Sequence, residues 1–425
     1  MIDLERLCNY VFYPGMAILA LVLVIIATTQ KSHPPPPPPP PPPPSPAPSF
    51  PPLLSPSVSF PRFLVESNVR KNTIINNNGN NNNNSAESMK SPAIFVMGDS
   101  TVDCGVNALF YPLLRRNLSL FPCSKTHQST LIPHFLAKKM GLPNTPTFYE
   151  QNGTIQGILS GINYGSAQAT ILPFANIPTF QSLNQQQRQA FETIQLLQLQ
   201  LGEQEAHQFI SSSIFYLSLG KDDYINFLFG NSSFSSGYSG DTQMVPRLLV
   251  DELTNALRNL YDAGVKKIVT MGVYPLGCAP RTVVNWYFLT GRNRRRVRVC
   301  VNEINHLMMQ HNRLLNDHIV DLNLQYSDAQ FVFCDVYQGF MQILSNPQNF
   351  GFDDARGACC GRGWHGAASG CDNMEMACNQ TSAHVWWDFY NPSEAVNSLL
   401  ADSAWSGQPL GDICHPLSIQ ALANM

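Results

Sequence analysis

The sequence predicts an α/β fold in which helices cover both faces of a parallel sheet. From about residue 92 to residue 425, short apolar runs alternate with segments of helical periodicity. A repeated order of strand, helix and strand is typical of parallel sheets. In addition, Ser100, Gly220 and Asp222 each lie just past the end of an apolar run. Since active residues gather at the carboxyl ends of such strands, the sequence predicts a site at that edge.

Four apolar runs are predicted as buried strands, at residues 93–97, 214–219, 267–273 and 331–335. Leucines recur at helical spacing from residue 249 to residue 260, and Gly264 is a natural helix stop. Eight apolar side chains between residues 301 and 322 predict a long amphipathic helix. The predicted folded domain therefore covers residues 92–425, which is long enough for one substantial core.

Residues 1–30 are predicted as a targeting segment. Residues 16–29 carry no charge and are almost entirely apolar, which is typical of a secretory signal peptide. The run is short for a membrane-spanning helix, which needs about 20 apolar residues, and an uncleaved membrane anchor is the alternative. Under either interpretation the folded domain is exported, and the predicted location is extracellular.

Residues 31–91 are predicted as a disordered linker. Residues 34–44 are unbroken proline, which forms a stiff and extended polyproline II spacer. Residues 76–84 are almost pure asparagine. A stiff stalk behind an export signal favours association with an extracellular matrix such as a cell wall. Neutral drift of a low-complexity segment is the alternative.

The cysteines and glycosylation motifs agree with export. Ten of the eleven cysteines lie in the folded domain, and an even number in an exported chain indicates disulfides. Zinc binding near residues 359–378 is disfavoured, because adjacent cysteines are not the usual ligand spacing. Asn-x-Ser/Thr motifs predict N-glycosylation. They begin at Asn83, Asn117, Asn152, Asn231 and Asn379.

The segment Gly98-Asp99-Ser100 places a candidate nucleophile after the first predicted strand. A serine needs a base to accept its proton and donors to stabilise the oxyanion. Further motifs follow in order, and they read GINYGSA at 161–167, LGKDDY at 219–224, YPLGCAP at 274–280, CCG at 359–361 and WDFYNPSEA at 387–395. Over roughly residues 92–397, the chain resembles the plant GDSL esterase/lipase family of SGNH hydrolases.

The resemblance implies a flavodoxin-like three-layer α/β/α SGNH hydrolase fold and a role for each motif. Ser100 is the implied nucleophile, and its backbone N–H is one oxyanion donor. Asp388 is the implied triad acid. Ala167 takes the place of a glycine whose N–H supports the oxyanion, unless the register slips to Gly165. Asp222 takes the place of an asparagine that donates to the oxyanion. The serine mechanism needs no metal or organic cofactor.

Two positions depart from that chemistry. Asn391 stands where the triad histidine is expected and cannot act as a base, and losing that base can cost on the order of 10⁶ in turnover. An ionised Asp222 only accepts hydrogen bonds, and one lost oxyanion donor costs on the order of 10²–10³. His384 is the histidine nearest to Asp388 in the sequence. An extended path would separate the two by roughly 13 Å, so His384 is not expected to replace the base.

The sequence therefore predicts a secreted carboxylic-ester hydrolase that acts through Ser100 on lipid or acylated cell-wall substrates. Asn391 and Asp222 are expected to impair its activity. The alternative is a non-catalytic relative that binds an acyl or glycan ligand in the same cleft. The expected partner is an ester substrate, either a small molecule or a polymer. A net charge of -3 with 13% charged residues indicates no nucleic-acid partner.

Overall fold

The computed structural model describes residues 93–103, 131–143, 145–151, 153–172, 181–229, 244–290, 300–371 and 374–425. The predicted targeting segment and linker lie outside these ranges. So do Cys104, Cys123 and the motif asparagines Asn83, Asn117, Asn152 and Asn231.

The strands are β1 (Ile94–Gly98), β2 (Ile214–Ser218), β3 (Lys267–Met271), β4 (Gln330–Cys334), β5 (Asp354–Ala358), β6 (His384–Trp386) and β7 (Cys414–His415). The helices are α1 (Ile132–Lys139), α2 (Ile155–Ile158), α3 (Leu183–Leu201), α4 (Glu203–Ser212), α5 (Lys221–Phe229), α6 (Met244–Asp262), α7 (Pro280–Thr290), α8 (Asn302–Gln325), α9 (Val336–Ser345), α10 (Glu394–Ser406) and α11 (Ile419–Ala423). The four strands and two helices predicted from the sequence are confirmed.

The main sheet is parallel over its first four strands. β1, β2, β3 and β4 pair in that order, and β7 adds antiparallel to β4. Every residue of β1 and β2 is buried, because a parallel sheet is covered on both faces. On the free edge of β1, Val96 forms a parallel bridge with Asn163. The segment around Asn163 thus lies on the side of β1 that faces away from β2, where flavodoxin-like sheets have their second strand.

The helices form two layers around this sheet. In one layer α6 packs against both α3 and α8, and these outer helices contact β1 and β4 respectively. In the other layer α10 packs against α1, α9 and α11. The predicted three-layer α/β/α architecture is confirmed. None of the described helices is long and apolar enough to cross a membrane.

Eight described cysteines form four disulfides. They join Cys278 to Cys300, Cys334 to Cys414, Cys359 to Cys378 and Cys360 to Cys371. The cysteines considered for zinc are therefore paired with one another. The bond between Cys334 and Cys414 ties the end of β4 to β7, so it fixes the last strand to the sheet.

Candidate active site

The end of β1 is held rigidly, and this fixes the position of Ser100. The side-chain amide of Gln186 on α3 donates to the carbonyl of Gly98 at 2.9 Å and accepts from its N–H at 2.8 Å. The hydroxyl of Thr101 donates to the side-chain oxygen of Ser218 at 2.7 Å. The chain then turns at Asp99 and leaves Ser100 buried at the carboxyl edge of the sheet.

The turn after β2 brings the start of α5 to the same edge. Gly220 has a φ of 113°, which favours glycine. A Cβ there would lie 3.2 Å from the side chain of Val273. Because the helix starts immediately after this turn, Lys221 and Asp222 face Ser100. The carboxylate of Asp99 accepts from the N–H of Asp222 at 3.1 Å and joins the two turns.

Asp222 lies against Ser100 and accepts hydrogen bonds from three neighbouring donors. One carboxylate oxygen, Oδ2, accepts from the N–H of Ser100 at 3.0 Å and from the N–H of Gln168 at 2.9 Å. The other, Oδ1, accepts from the Ser100 hydroxyl at 2.8 Å. The structure thus places a carboxylate oxygen between two backbone N–H groups at the distances that an oxyanion hole uses.

The second of these N–H groups belongs to Gln168, whereas the resemblance implied Ala167 as the oxyanion donor. The N–H of Ala167 donates to Asp103 at 2.9 Å, and Gly165 donates to Asn163 at 2.8 Å. Gln168 has a φ of 68°, in the left-handed region. A glycine would adopt this conformation easily, but a glutamine gives no such signal in the sequence.

The main residue that sequence reasoning missed is Lys221. Its side chain is buried, and its Nζ contacts the hydroxyl oxygen of Ser100. The same Nζ lies 2.7 Å from Asp222 Oδ1 and 3.1 Å from Asn391 Oδ1. Lys221 stands inside the LGKDDY motif, between Gly220 and Asp222, and no role is predicted for it from the sequence. Only the fold shows that it meets Asn391, which is 170 residues away.

Asn391 is held by Asp388, as the predicted arrangement of acid and histidine would require. Its side-chain Nδ2 donates to both carboxylate oxygens of Asp388, each at 3.0 Å. The backbone N–H groups of Tyr390 and Asn391 donate to Asp388 at 3.0 and 2.9 Å. Asp388 and Asn391 are both fully buried. The structure therefore brings Ser100, Asp222, Asp388 and Asn391 together in one site.

Two buried carboxyl groups of the site have raised pKa values. Burial raises the pKa of Asp388 to about 6, although the hydrogen bonds from Asn391 and Tyr390 and the charge of Lys221 oppose this shift. Burial, together with the nearby carboxylate of Asp222, raises the pKa of Asp99 to about 6. Both groups therefore titrate above the usual range of a carboxyl group.

None of the described histidines contacts Ser100. His384 packs at the disulfide of Cys378, with its Nδ1 3.4 Å from the sulfur, and its Nε2 lies 3.9 Å from Asp354. His311 lies behind α5, and its Nδ1 is 3.2 Å from the hydroxyl of Tyr224. Among the described residues, the hydroxyl of Ser100 bonds only to Lys221 and Asp222.

The space beside Ser100 is small. A cavity of about 20 Å³ lies between Ser100, Asn391, Tyr274, Val336 and Leu400. This volume is comparable to the space that one water molecule needs. Ser100 itself is only 1% exposed. In this conformation the site is closed, and an ester substrate requires it to open.

Comparison with known proteins identifies the family. A model of the family described as GDSL-like Lipase/Acylhydrolase matches residues 94–404, which is most of the chain. The chain belongs to this family. Membership in this lipase/acylhydrolase family supports ester hydrolysis and implies ester substrates.

Similar proteins carry related names. GDSL esterase/lipase 7 of Arabidopsis thaliana is 29% identical over 348 residues, which cover 79% of this chain and 93% of that protein. Two further Arabidopsis thaliana proteins named GDSL esterase/lipase are 30% identical over 350 residues and 29% identical over 340 residues. These alignments cover 79% and 78% of this chain, and 88% of each relative.

Proposed function

We propose that this protein is a secreted carboxylic-ester hydrolase of the GDSL type, which acts through Ser100 on lipid or acylated cell-wall substrates. Its turnover is reduced relative to enzymes that have a histidine at position 391 and an asparagine at position 222. Two findings support this proposal. They are the membership in the GDSL-like lipase/acylhydrolase family and the arrangement of donors around the Ser100 hydroxyl.

One observation carries the proposal. The N–H groups of Ser100 and Gln168 converge on a single anionic oxygen, at 3.0 and 2.9 Å. Acyl transfer needs such a pair of donors where negative charge develops on the substrate. The oxygen of Asp222 that now occupies this position marks where the substrate's oxyanion would bind. The nucleophilic hydroxyl of Ser100 lies beside it.

The reduced turnover follows from the residues around this pair. Asn391 cannot accept a proton from Ser100. The carboxylate of Asp222 also competes with the substrate for both N–H groups, whereas an asparagine amide would donate a further hydrogen bond. One oxyanion donor raises the rate by a factor on the order of 10²–10³. Replacing that donor by an acceptor is expected to lower the rate by at least this factor.

The test is hydrolysis of p-nitrophenyl acetate and butyrate by the purified full-length protein, beside the Ser100→Ala variant. Ser403 lies buried on α10, outside the site residues, so Ser403→Ala is a matched control. We expect slow turnover by the parent and by Ser403→Ala, and at least a tenfold loss in Ser100→Ala. Equal rates for the parent and Ser100→Ala would overturn the proposal.

A second candidate is a non-catalytic relative that binds an acyl or glycan ligand. The observation in its favour is that Asp222 already occupies both N–H groups and that the cavity beside Ser100 is small. This candidate requires that the parent shows no Ser100-dependent turnover and that hydrolysis begins only when Asn391→His is introduced. Thermal stabilisation by fatty acids or by wall oligosaccharides would then identify the ligand class.

Secretion belongs to the proposal and has its own support. The four disulfides of the described part of the chain suit an oxidising compartment. Asn379 is exposed, so its side chain is accessible to a glycan. We expect the expressed full-length chain to appear in the medium or wall fraction with a glycan on Asn379. Peptide mass spectrometry after glycosidase treatment checks this, and recovery in the cytosol alone contradicts it.

A further inference from the structure

The ammonium group of Lys221 is saturated by the active site. A lysine ammonium has three N–H donors. In this structure they meet three acceptors, which are the Ser100 hydroxyl, Asp222 Oδ1 and Asn391 Oδ1. The side chain is 3% exposed. A buried charge that contacts the nucleophile and the position expected for a histidine is more than a surface ion pair, so its chemistry requires an explanation.

We propose that Lys221 is the general base for Ser100, and that Lys221 and Asn391 together replace the missing histidine. The inference rests on the proposed ester hydrolysis and names the residue that activates its nucleophile. Serine and lysine form catalytic pairs on other folds, so the chemistry has precedent outside this family.

The geometry shows how two side chains can fill the place of one imidazole. A triad histidine donates from one nitrogen to the acid and accepts the serine proton at the other. Here Asn391 donates through Nδ2 to Asp388 and accepts through Oδ1 from Lys221 at 3.1 Å. Lys221 then reaches the oxygen of Ser100. Hydrogen bonds therefore link the acid to the nucleophile through one more member. The Ser100 hydroxyl donates to Asp222 Oδ1 in this structure, and it turns towards Nζ once Lys221 is a neutral amine.

Lys221 must lose a proton before it can accept one from Ser100, and an acceptor is in contact. Asp222 Oδ1 lies 2.7 Å from Nζ. Transfer of one proton converts the ion pair into a neutral amine and a carboxylic acid. Burial disfavours both separated charges, which lowers the cost of this exchange.

The reaction balances with these groups alone. The amine of Lys221 takes the Ser100 proton while the serine oxygen bonds to the ester carbon, and the carbonyl electrons move to its oxygen. When these electrons return, the bond from carbon to the alcohol oxygen breaks and Lys221 gives its proton to the alcohol. Water then attacks the acyl-serine by the same route, which releases the acid and restores Ser100.

The test compares Lys221→Met and Lys221→Arg with the parent on p-nitrophenyl butyrate. Methionine fills a similar volume without an amine. Arginine keeps a positive charge but cannot be deprotonated in a protein. We expect both variants to lose on the order of 10²–10⁴ in Ser100-dependent kcat/KM, the usual contribution of a general base. Lys267→Met at the opposite end of the sheet is the matched control and keeps the parent rate.

Three outcomes overturn the proposal or its foundation. Full activity in Lys221→Met excludes Lys221 from the reaction. Activity that is kept in Lys221→Arg but lost in Lys221→Met shows a fixed positive charge and not a base. A parent without Ser100-dependent turnover instead defeats the proposed function itself. If Lys221→Met does not fold, Asn391→Ala carries the test, because it removes the link to Asp388 and leaves the pair of Lys221 and Asp222 in place. We expect at least a tenfold loss there, and an unchanged rate contradicts the role of Asn391.

Discussion

The two sides of the Ser100 hydroxyl differ in how they depart from the family's chemistry. On the base side, defined as Asp388 and Asn391, the two side chains are joined by hydrogen bonds, but an asparagine cannot accept a proton. On the oxyanion side, defined as Gln168 and Asp222, the backbone donors are preserved but their partner is an internal carboxylate. Under the proposed function, one side lacks an imidazole base and the other carries a group that competes with the substrate.

Lys221 explains why both departures occur in one stable site. Its ammonium lies between the two sides, where it neutralises Asp222 and donates to Asn391. An imidazole at position 391 would compete with the Lys221 ammonium for the same place beside the Ser100 oxygen. Lys221, Asp222 and Asn391 therefore form one unit. The effect of a substitution at one of these positions on turnover or stability depends on which residues stand at the other two.

The largest effect is expected from restoring both sides at once. The variant Lys221→Ser/Asp222→Asn/Asn391→His removes the ammonium, supplies an amide donor and provides an imidazole held by Asp388. We expect kcat/KM on p-nitrophenyl butyrate to rise by on the order of 10³ or more, because the triad base and one oxyanion donor are restored. Adding Ser100→Ala to the variant should abolish the gain. A rise below tenfold would contradict this view of the two sides.

We also expect the interaction between Lys221 and Asp222 to contribute to the free energy of unfolding. Asp222→Asn leaves the buried ammonium of Lys221 without its counter-charge, and breaking such a pair costs about 3–5 kcal/mol. We expect Lys221→Met/Asp222→Asn to be destabilised by less than the sum of the single variants, with a coupling of about 1–3 kcal/mol. Urea unfolding with the disulfides intact measures this. Additive single effects would show that the two residues are independent.

On the base side, the pKa of Asp388 rises from 3.8 to about 6. The folded state therefore binds its proton more tightly, and this stability is present below pH 3.8 and lost as pH rises towards 6. Asp388→Asn removes the titration. We expect its stability relative to the parent to increase by about 3 kcal/mol between pH 3 and pH 7. A pH-independent difference in urea unfolding would contradict the raised pKa.

For His311, which lies behind α5, we expect the pH dependence of stability to have the opposite sign. Burial lowers the pKa of His311 from 6.5 to about 4, so the unfolded state binds the proton more tightly. Stability is then gained as pH rises from 4 to 6.5. His311→Phe should become less stable relative to the parent over this range, by about 3 kcal/mol. The exposed His306 on the same helix provides a matched control variant, His306→Phe, and a pH-independent difference between His311→Phe and the parent would contradict the lowered pKa.

The smallest effect concerns the backbone that presents the second N–H group. Gln168 adopts a left-handed φ of 68°. Glycine and asparagine tolerate this conformation, whereas a β-branched residue is strained by about 1–3 kcal/mol. We expect Gln168→Val to be destabilised by that amount in thermal unfolding and Gln168→Asn to resemble the parent. Equal stability of the two variants would show that the conformation carries no strain at this position.

The sequence predicts the scaffold well, because burial on both faces leaves a direct record in apolar runs such as residues 214–219. Strand ends also place Ser100 and Asp222 at one edge of the sheet, and the resemblance to the family adds Asp388 and Asn391 to that site. Gln168 is missed because the residue type does not reveal the left-handed backbone conformation that presents its N–H. Lys221 is missed because its partners are Ser100 and Asn391, and contacts over 121 and 170 residues depend on the fold.

Labelling of the nucleophile tests the central claim most directly. A fluorophosphonate reacts with an activated serine hydroxyl, and intact mass spectrometry gives the rate at which one adduct forms on Ser100. We expect the parent to be labelled, and Lys221→Met and Lys221→Arg to be labelled at least a hundredfold more slowly, with no adduct on Ser100→Ala. Equal labelling of the parent and both Lys221 variants would contradict the claim that Lys221 activates Ser100.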